Sequence, residues 1–309
     1  MGTRRTRGNS PLDIGYSPFT MHLKSPAKIN LFLHITAKRP DGYHNLLSLM
    51  CGVSLYDDIQ LAPDSHAGIT VKCDHEAVPE DNTNLAYQAA DLFFSKLGRR
   101  PAVPLSGDTD GLSITIKKNI PVAAGLGGGS SNAATVLAAL NKMYSHPFSN
   151  TSLVKMGLSL GADVPFFLFG RPAIAKGIGE QLTPYEKVKD YTILLVCPEL
   201  SVSTAWAYKN LNLRLTKCEK KLKNFLFGRP EFKAGQHLCN DLESVTTGRY
   251  PEILQIKKKL MDLNARGALM SGSGPAVFGI FREPDSAESA YDVLAGEGQW
   301  RVFITNTMG

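Results

Sequence analysis

No Gly-Lys dipeptide occurs anywhere in the 309 residues. That excludes the nucleotide loop whose lysine follows its last glycine. Cysteine is sparse and scattered: Cys51, Cys73, Cys197, Cys218 and Cys239, with no Cys-x-x-Cys among them. An odd count without paired spacing argues against a structural zinc site and predicts reduced thiols. Asp74-His75-Glu76 is better read as a polar surface turn than as a metal site. No apolar run approaches membrane-spanning length, and the N-terminus lacks the apolar stretch of a secretory signal. A soluble, cytoplasmic protein is expected. The densest basic run, Lys257-Lys258-Lys259, has no interleaved aromatic residue on which a base could stack. It reads as a solvated helix face.

What is present fits an ordinary globular chain: 43% hydrophobic and 20% charged residues. Its length suggests two domains. A net charge of +6 suits a small polyanion as well as a nucleic acid, and does not choose between them. Residues 1–20 carry Arg4, Arg5, Arg7 and little periodicity, and are expected to be a poorly ordered extension before Met21.

The densest information lies in Pro121-Val122-Ala123-Ala124-Gly125-Leu126-Gly127-Gly128-Gly129-Ser130-Ser131-Asn132-Ala133-Ala134. An alternating strand, Leu112 to Ile116, precedes it, and an apolar helix with Ala133, Leu137 and Leu140 on one face follows. The order strand, glycine loop, helix converges backbone N–H groups and a helix dipole on one point, which is a cradle for phosphate. Ser130-Ser131-Asn132 reads as the helix cap. The dinucleotide fingerprint is excluded, because Ser130 stands where its third glycine would be.

Elsewhere, residues 27–37 read as a strand, with Leu46–Val53 and Asp58–Leu61 as further strand material. Asn82–Lys96 reads as a helix capped by Thr83 or Asn84. Asn150–Leu160 and Pro251–Asn264 are helical in pattern, and Thr192–Val196 is a buried strand. Residues 217–236 are Lys-rich and irregular, which suggests a flexible insertion or linker. Residues 268–279 read as strand, glycine turn, strand; Ser271-Gly272-Ser273-Gly274-Pro275 could pack against the first loop and complete a phosphate pocket, but on spacing alone it is a plain hairpin turn. Strands and helices alternate without a βαβ rhythm, so the fold class expected is α+β with a break near 180–190.

Two charges interrupt apolar sequence. Asp163 sits in Gly161-Ala162-Asp163-Val164-Pro165-Phe166-Phe167, and Lys28 in Ser25-Pro26-Ala27-Lys28-Ile29-Asn30. As a pair they could take a proton from an alcohol and steady a moving phosphoryl group. As bland residues, Asp163 would cap a turn and Lys28 would snorkel to water. Tyr43-His44 follows the Pro40-Asp41-Gly42 turn. An exposed ring and imidazole there would suit a flat heterocycle, while a core tyrosine beside a surface histidine is the plainer alternative.

Three segments taken together resemble the three motifs of the GHMP small-molecule kinases: Pro26-Ala27-Lys28-Ile29-Asn30-Leu31, Pro121 through Ala134, and Ser271 through Phe278. They occur in the family's order and span residue 21 to the end. Asp41-Gly42-Tyr43-His44, Gly161 through Phe167 and Asn240-Asp241-Leu242-Glu243 narrow the resemblance. They point to the branch that phosphorylates a cytidine diphosphate-linked methylerythritol on its 2-hydroxyl, in the non-mevalonate route to isoprenoid precursors.

The resemblance implies a ribosomal-protein-S5-like N-terminal domain over 21–185 and a ferredoxin-like C-terminal domain over 186–309. It implies ATP along Pro121, Ala124, Gly125, Leu126, Gly127, Gly128, Gly129, Ser130 and Ser131, with its adenine near Asn84, Leu85 and Lys118. Asp163 would be the general base with Lys28 beside it, and Asn30 would hold the reacting end. Cytosine would stack on Tyr43 and pair with His44, with Thr204 and Tyr208 as the pocket's second wall. Mg²⁺ would be held mainly through ATP phosphates, with no metal ligand from the chain. The partners implied are ATP and the cytidine diphosphate-linked alcohol, without nucleic acid or membrane, on a monomer or weak dimer. Other readings stay open: a homoserine- or mevalonate-type kinase of the same group, a nucleotide sensor without catalysis, and a nucleic-acid binder.

Overall fold

The computed structural model describes residues 20–101, 111–213, 216–228 and 230–309. Apart from Thr20, the extension expected over 1–20 lies outside the described residues.

Two long strands organise the molecule. β1 (Met21–Lys38) and β2 (His44–Asp64) pair antiparallel along almost their whole length. The segments read as separate strands at Leu46–Val53 and Asp58–Leu61 are therefore one continuous element. It changes partners along its length: β5 (Ala173–Gly177) pairs with its first part, and β4 (Gly111–Lys117) with its last. β3 (Gly68–Cys73) lies parallel beside β4. Irregularities interrupt the β1–β2 ladder between Pro26 and Ala27, and again between Asn30 and Phe32. They bracket Lys28 and Asn30; such bulges re-aim the side chains beside them.

Helices α1 (Leu85–Leu97), α2 (Gly128–Met143), α3 (Asn150–Leu160) and α4 (Val164–Phe169) belong to this half. In α1 the buried residues Ala86, Ala89, Ala90, Phe93 and Phe94 recur at i, i+3, i+4, i+7 and i+8, one apolar face. Asn84, not Thr83, caps it, accepting from Ala86 N at 2.9 Å, and Gly98 closes it in the left-handed conformation. α1 and α2 bury this face and Ala133, Leu137 and Leu140 against Ile59, Leu61 and Ile114 of the sheet.

After the short β6 (Gln181–Pro184), β7 (Thr192–Cys197) begins a second group of strands. The elements that follow are α5 (Thr204–Lys209), α6 (Cys218–Gly228), α7 (Ala234–His237), β8 (Cys239–Asn240), α8 (Glu243–Arg249), α9 (Glu252–Asp262), β9 (Gly267–Met270), β10 (Val277–Phe281), α10 (Pro284–Gly296) and β11 (Arg301–Met308). The main strand order is β3-β4-β2-β11-β7-β10-β9. β11 links the groups, since Thr307 and Met308 pair with Val53 and Gly52 of β2. α9 and α10 cover the outer face through Ile253, Ile256, Leu260, Ala287 and Leu294. The architecture is the expected α+β class.

Two expectations fail here. The Lys-rich segment 217–236 is not an irregular insertion: it forms α6 and α7 and buries Leu222, Phe225 and Phe232. Lys217, Lys220 and Lys233 are exposed, and their charges masked the apolar spacing. The thiols are not all free either. Cys218 and Cys239, 21 residues apart, form a disulfide with Cα atoms 5.6 Å apart; Cys51, Cys73 and Cys197 are free.

Candidate active site

The glycine loop is built by backbone geometry. Ala123, Gly125 and Gly127 all have positive φ, at 54°, 78° and 72°, and positive φ at alternate residues folds the chain tightly enough to gather N–H groups into a concavity. Gly127 is the N-cap of α2, with no side-chain cap. The first helical bond there runs from Ser131 N to the Gly127 carbonyl, at 2.9 Å. The N–H groups of Gly128, Gly129 and Ser130 therefore have no helical acceptor and are available to an anion. The Ser130-Ser131-Asn132 cap expected from sequence lies inside the first turns of the helix instead. Ser131 is fully buried and takes a hydrogen bond from Ser25 Oγ at 2.7 Å.

The second glycine turn joins β9 to β10 and also packs on the first. Ser271 Oγ donates to the Gly125 carbonyl at 3.1 Å, and Ala276 N to the Ala124 carbonyl at 3.1 Å. A side chain at Gly125 would bring its Cβ within 2.2 Å of the Ser271 carbonyl oxygen. The turn is thus more than the plain hairpin that its spacing suggested.

Lys28 is buried at 4% exposure, so it does not snorkel. Its Nζ donates to Asn30 Oδ1 at 2.7 Å and lies 3.7 Å from Asp163 Oδ2. Asn30 is held in turn, donating to Ser48 Oγ at 2.8 Å, and Ser48 donates to the Phe32 carbonyl at 2.7 Å. Asp163 stands at the N-cap position of α4 yet makes no side-chain capping bond. Its side chain is 39% exposed and borders a cleft of about 1500 Å³. The bland readings of both residues are therefore replaced by an ion pair brought together from 135 positions apart, Lys28 to Asp163.

The same cleft is bordered by Pro121, Ala124, Gly125 and Gly127 through Ser130, by Asn84, Leu85 and Lys118, and by Asn30, Tyr43, His44, Thr204 and Tyr208. Leu126 and Ser131 do not border it. Leu126 is buried in the core, and its carbonyl accepts from Lys28 N at 2.9 Å.

At the far end Tyr43 is 60% exposed, whereas His44 is only 6% exposed. The imidazole is not on the surface, as its place after a turn had suggested. It packs on the Tyr208 ring with centroids 5.4 Å apart. Burial, with a smaller effect of Lys38, holds its pKa below the usual histidine value. Burial also raises the Tyr208 hydroxyl, helped by the charge of Asp163. Thr204 Oγ1 meets Ser273 Oγ at 2.9 Å, which ties α5 to the second glycine turn.

Sequence reasoning missed the support beneath the glycine loop. Asp57, fully buried, accepts from Asn119 N at 2.9 Å, Ile120 N at 2.8 Å and Lys118 Nζ at 2.7 Å. Asn132 turns its amide nitrogen to Asp57 Oδ2 at 2.9 Å and to the Gly128 carbonyl at 2.5 Å. Lys118 also donates to the Ile120 carbonyl at 2.6 Å; burial lowers its pKa, with Asp57 opposing. A signal existed: Asp57 shares the alternation of Ile59 and Leu61, both buried, so its carboxylate had to point inward. Asn240 went unexplained too. Its amide donates to the Met270 and Gly272 carbonyls at 2.9 and 2.7 Å, fixing the second glycine turn.

Fold and site define a class. Residues 84–171 match the family model of the GHMP kinases N terminal domain, and residues 223–298 that of GHMP kinases C terminal. Among curated proteins the chain is 47% identical over 279 residues to the 4-diphosphocytidyl-2-C-methyl-D-erythritol kinase of Syntrophotalea carbinolica, covering 90% of this chain and 96% of that one. It is 46% identical over 272 residues to the kinase of the same name from Geobacter sulfurreducens, with coverages of 88% and 94%. A crystal structure of 4-(cytidine 5'-diphospho)-2C-methyl-D-erythritol kinase superimposes with a TM-score of 0.73 at 34% identity, over 94% of this chain and 100% of that one. A homoserine kinase from Cytophaga hutchinsonii also reaches 0.73, over 96% and 97% of the two chains, but at 16% identity shows the fold alone. The chain belongs to the GHMP kinase family, in its branch of 4-diphosphocytidyl-2-C-methyl-D-erythritol kinases. It is an ATP-dependent small-molecule kinase.

Proposed function

We propose that this chain transfers the γ-phosphoryl group of ATP to the 2-hydroxyl of 4-diphosphocytidyl-2-C-methyl-D-erythritol, with Asp163 as general base. The observation that carries the assignment is the Lys28–Asp163 pair, 3.7 Å apart, in the cleft that the glycine loop borders. Asp163 takes the hydroxyl proton as that oxygen bonds to the γ-phosphorus; the bond to the β,γ-bridging oxygen breaks and ADP leaves. The Lys28 ammonium, aligned by Asn30, faces the charge that builds on the transferred group. The free N–H groups of Gly128, Gly129 and Ser130 hold the phosphates, so most of the acceleration is positioning and electrostatics.

Adenine lies toward Asn84, Leu85 and Lys118. Cytosine stacks on Tyr43 and pairs with His44, with Tyr208 and Thr204 behind. We assign 21–185 to the N-terminal lobe, 186–309 to the C-terminal lobe, and the reaction to the cytoplasm. No helix among the described residues is long and apolar enough to cross a membrane.

Mg²⁺ fits this site only loosely. Of the cleft side chains next to the glycine loop, the Asp163 carboxylate, which makes no capping bond, and the half-buried Ser130 hydroxyl would be the ones to touch it. When bound on the phosphates, the ion supplies charge neutralisation.

The deciding experiment is ATP consumption with the cytidine-linked alcohol, the same alcohol without cytidine, homoserine and mevalonate. Turnover confined to the first supports the assignment. Equal or faster turnover of homoserine or mevalonate would replace it.

A further inference from the structure

The cleft holds two buried lysines whose charges are already partnered, Lys28 by Asp163 and Lys118 by Asp57. The acceptor substrate brings a diphosphate between its cytidine and its reacting end. The glycine loop serves the other substrate's phosphates, so this diphosphate needs its own cation.

Arg249 is built for that task. It ends α8 and borders the cleft. Its guanidinium carbon lies 4.7 Å from the centroid of the Trp206 ring and 5.4 Å from that of Tyr250. The two rings meet edge to face, with centroids 6.2 Å apart, and the Tyr250 hydroxyl reaches the Ser201 carbonyl at 3.5 Å. A guanidinium stacked on rings gives up its flat face and keeps its N–H edge free, the geometry that grips phosphate oxygens two at a time. Among the described residues Arg249 has no ion pair and no side-chain hydrogen bond. Lys38 and Lys209 also border the cleft, but no ring stacks under either among the described residues.

Position agrees with chemistry. Trp206 lies in α5 between Thr204 and Tyr208, the wall assigned to the cytidine. Ser273 joins that wall to α8, since its hydroxyl meets Thr204 Oγ1 and its carbonyl accepts from Thr246 Oγ1 at 3.2 Å. The diphosphate has to pass along this wall to bring the alcohol to Asp163.

We propose that Arg249 binds the diphosphate of the acceptor substrate and so selects a cytidine diphosphate-linked alcohol over an uncharged cytidine-linked or bare one. The proposal rests on the substrate assigned above.

The test compares cytidine and cytidine diphosphate as competitors of the acceptor, in the full-length protein and in Arg249→Met and Arg249→Lys. The native protein should hold cytidine diphosphate more tightly than cytidine. Arg249→Met should lose about tenfold on the diphosphate, the size of one exposed charge-assisted contact. It should leave cytidine affinity and the KM for ATP unchanged, with Arg249→Lys in between. Equal weakening of both competitors would overturn the proposal, because Arg249 would then only prop the aromatic wall. Unchanged diphosphate affinity in Arg249→Met would overturn it as well. If the native protein binds neither competitor, the cytidine reading itself falls and takes this proposal with it.

Discussion

Two lysine–aspartate pairs flank the same cleft and are built oppositely. Lys118–Asp57 is tight, 2.7 Å, with both side chains buried, and every oxygen of Asp57 is engaged by main-chain or side-chain N–H groups. Lys28–Asp163 is loose, 3.7 Å, and open on the carboxylate side. A carboxylate saturated with donors is a poor proton acceptor and a good anchor. One with spare lone pairs facing a cleft, beside a cation that steadies charge, is suited to receive a proton. The residue types are the same; solvent access and donor count separate the proposed base from the anchor.

The sharpest way to break this contrast is to remove each carboxylate. Asp163→Asn should lower kcat by about 10²–10⁴-fold, the range for a positioned general base, while nucleotide affinity survives. The buried Lys28 loses this charge partner but keeps its hydrogen bond to Asn30, and the pair is looser and open on one side, so the stability loss should be clearly smaller than in Asp57→Ala. Asp57→Ala should do the reverse. Stranding Lys118 in the interior costs about 3–5 kcal/mol, read as a lowered denaturant midpoint, with kcat of the folded fraction changed far less than in Asp163→Asn. If Asp163→Asn unfolds the protein and Asp57→Ala only slows turnover, the assignment of base and anchor is inverted.

The contrast also explains what was legible beforehand. The glycine loop announces itself because its chemistry is local: alternate positive φ and a helix start need neighbours in sequence. Lys28 and Asp163 stood out as charges in apolar sequence, but only the β1–β2 ladder and the placement of α4 bring them together. Asp57 was missed although its parity with Ile59 and Leu61 pointed it inward, because its donors come from Lys118 to Ile120 and from Asn132. The α6 segment was misread because the charged Lys220 and Lys221 beside them hid the buried Leu222 and Phe225. The Cys218–Cys239 bridge was invisible because spacing does not report distance. Likewise, nothing in the order of residues showed that Arg249 would find Trp206 more than 40 positions away.

A smaller effect tests how the two glycine turns depend on each other. Gly125→Ala forces a β-carbon into a left-handed backbone that costs about 1–2 kcal/mol, with that atom 2.2 Å from the Ser271 carbonyl oxygen. The second turn must move off the first. The KM for ATP should rise by at least about tenfold, with a smaller rise for the acceptor. An unchanged KM for ATP would mean that the loop carries no phosphate.

The smallest effect lies at the end of the cleft proposed for cytidine and is read through pH. The pKa of His44 is depressed from its ordinary 6.5, first by burial and then by Lys38. The unfolded chain therefore binds this proton more readily than the folded one. The contribution of His44 to stability is fully present above pH 6.5 and is lost as pH falls through the folded value, because protonating the imidazole puts a charge against the Tyr208 ring in a desolvated place. His237, also depressed by burial, titrates with the same sign, so the experiment needs a difference. His44→Gln should flatten only part of the decline in stability below pH 6.5. In the native protein the same protonation should raise the KM for the acceptor and leave that for ATP alone, since a neutral ring offers one donor and one acceptor nitrogen to a base edge whereas the charged ring offers only donors. An acid-side rise in the KM for ATP of equal size would place the titrating group at the glycine loop instead.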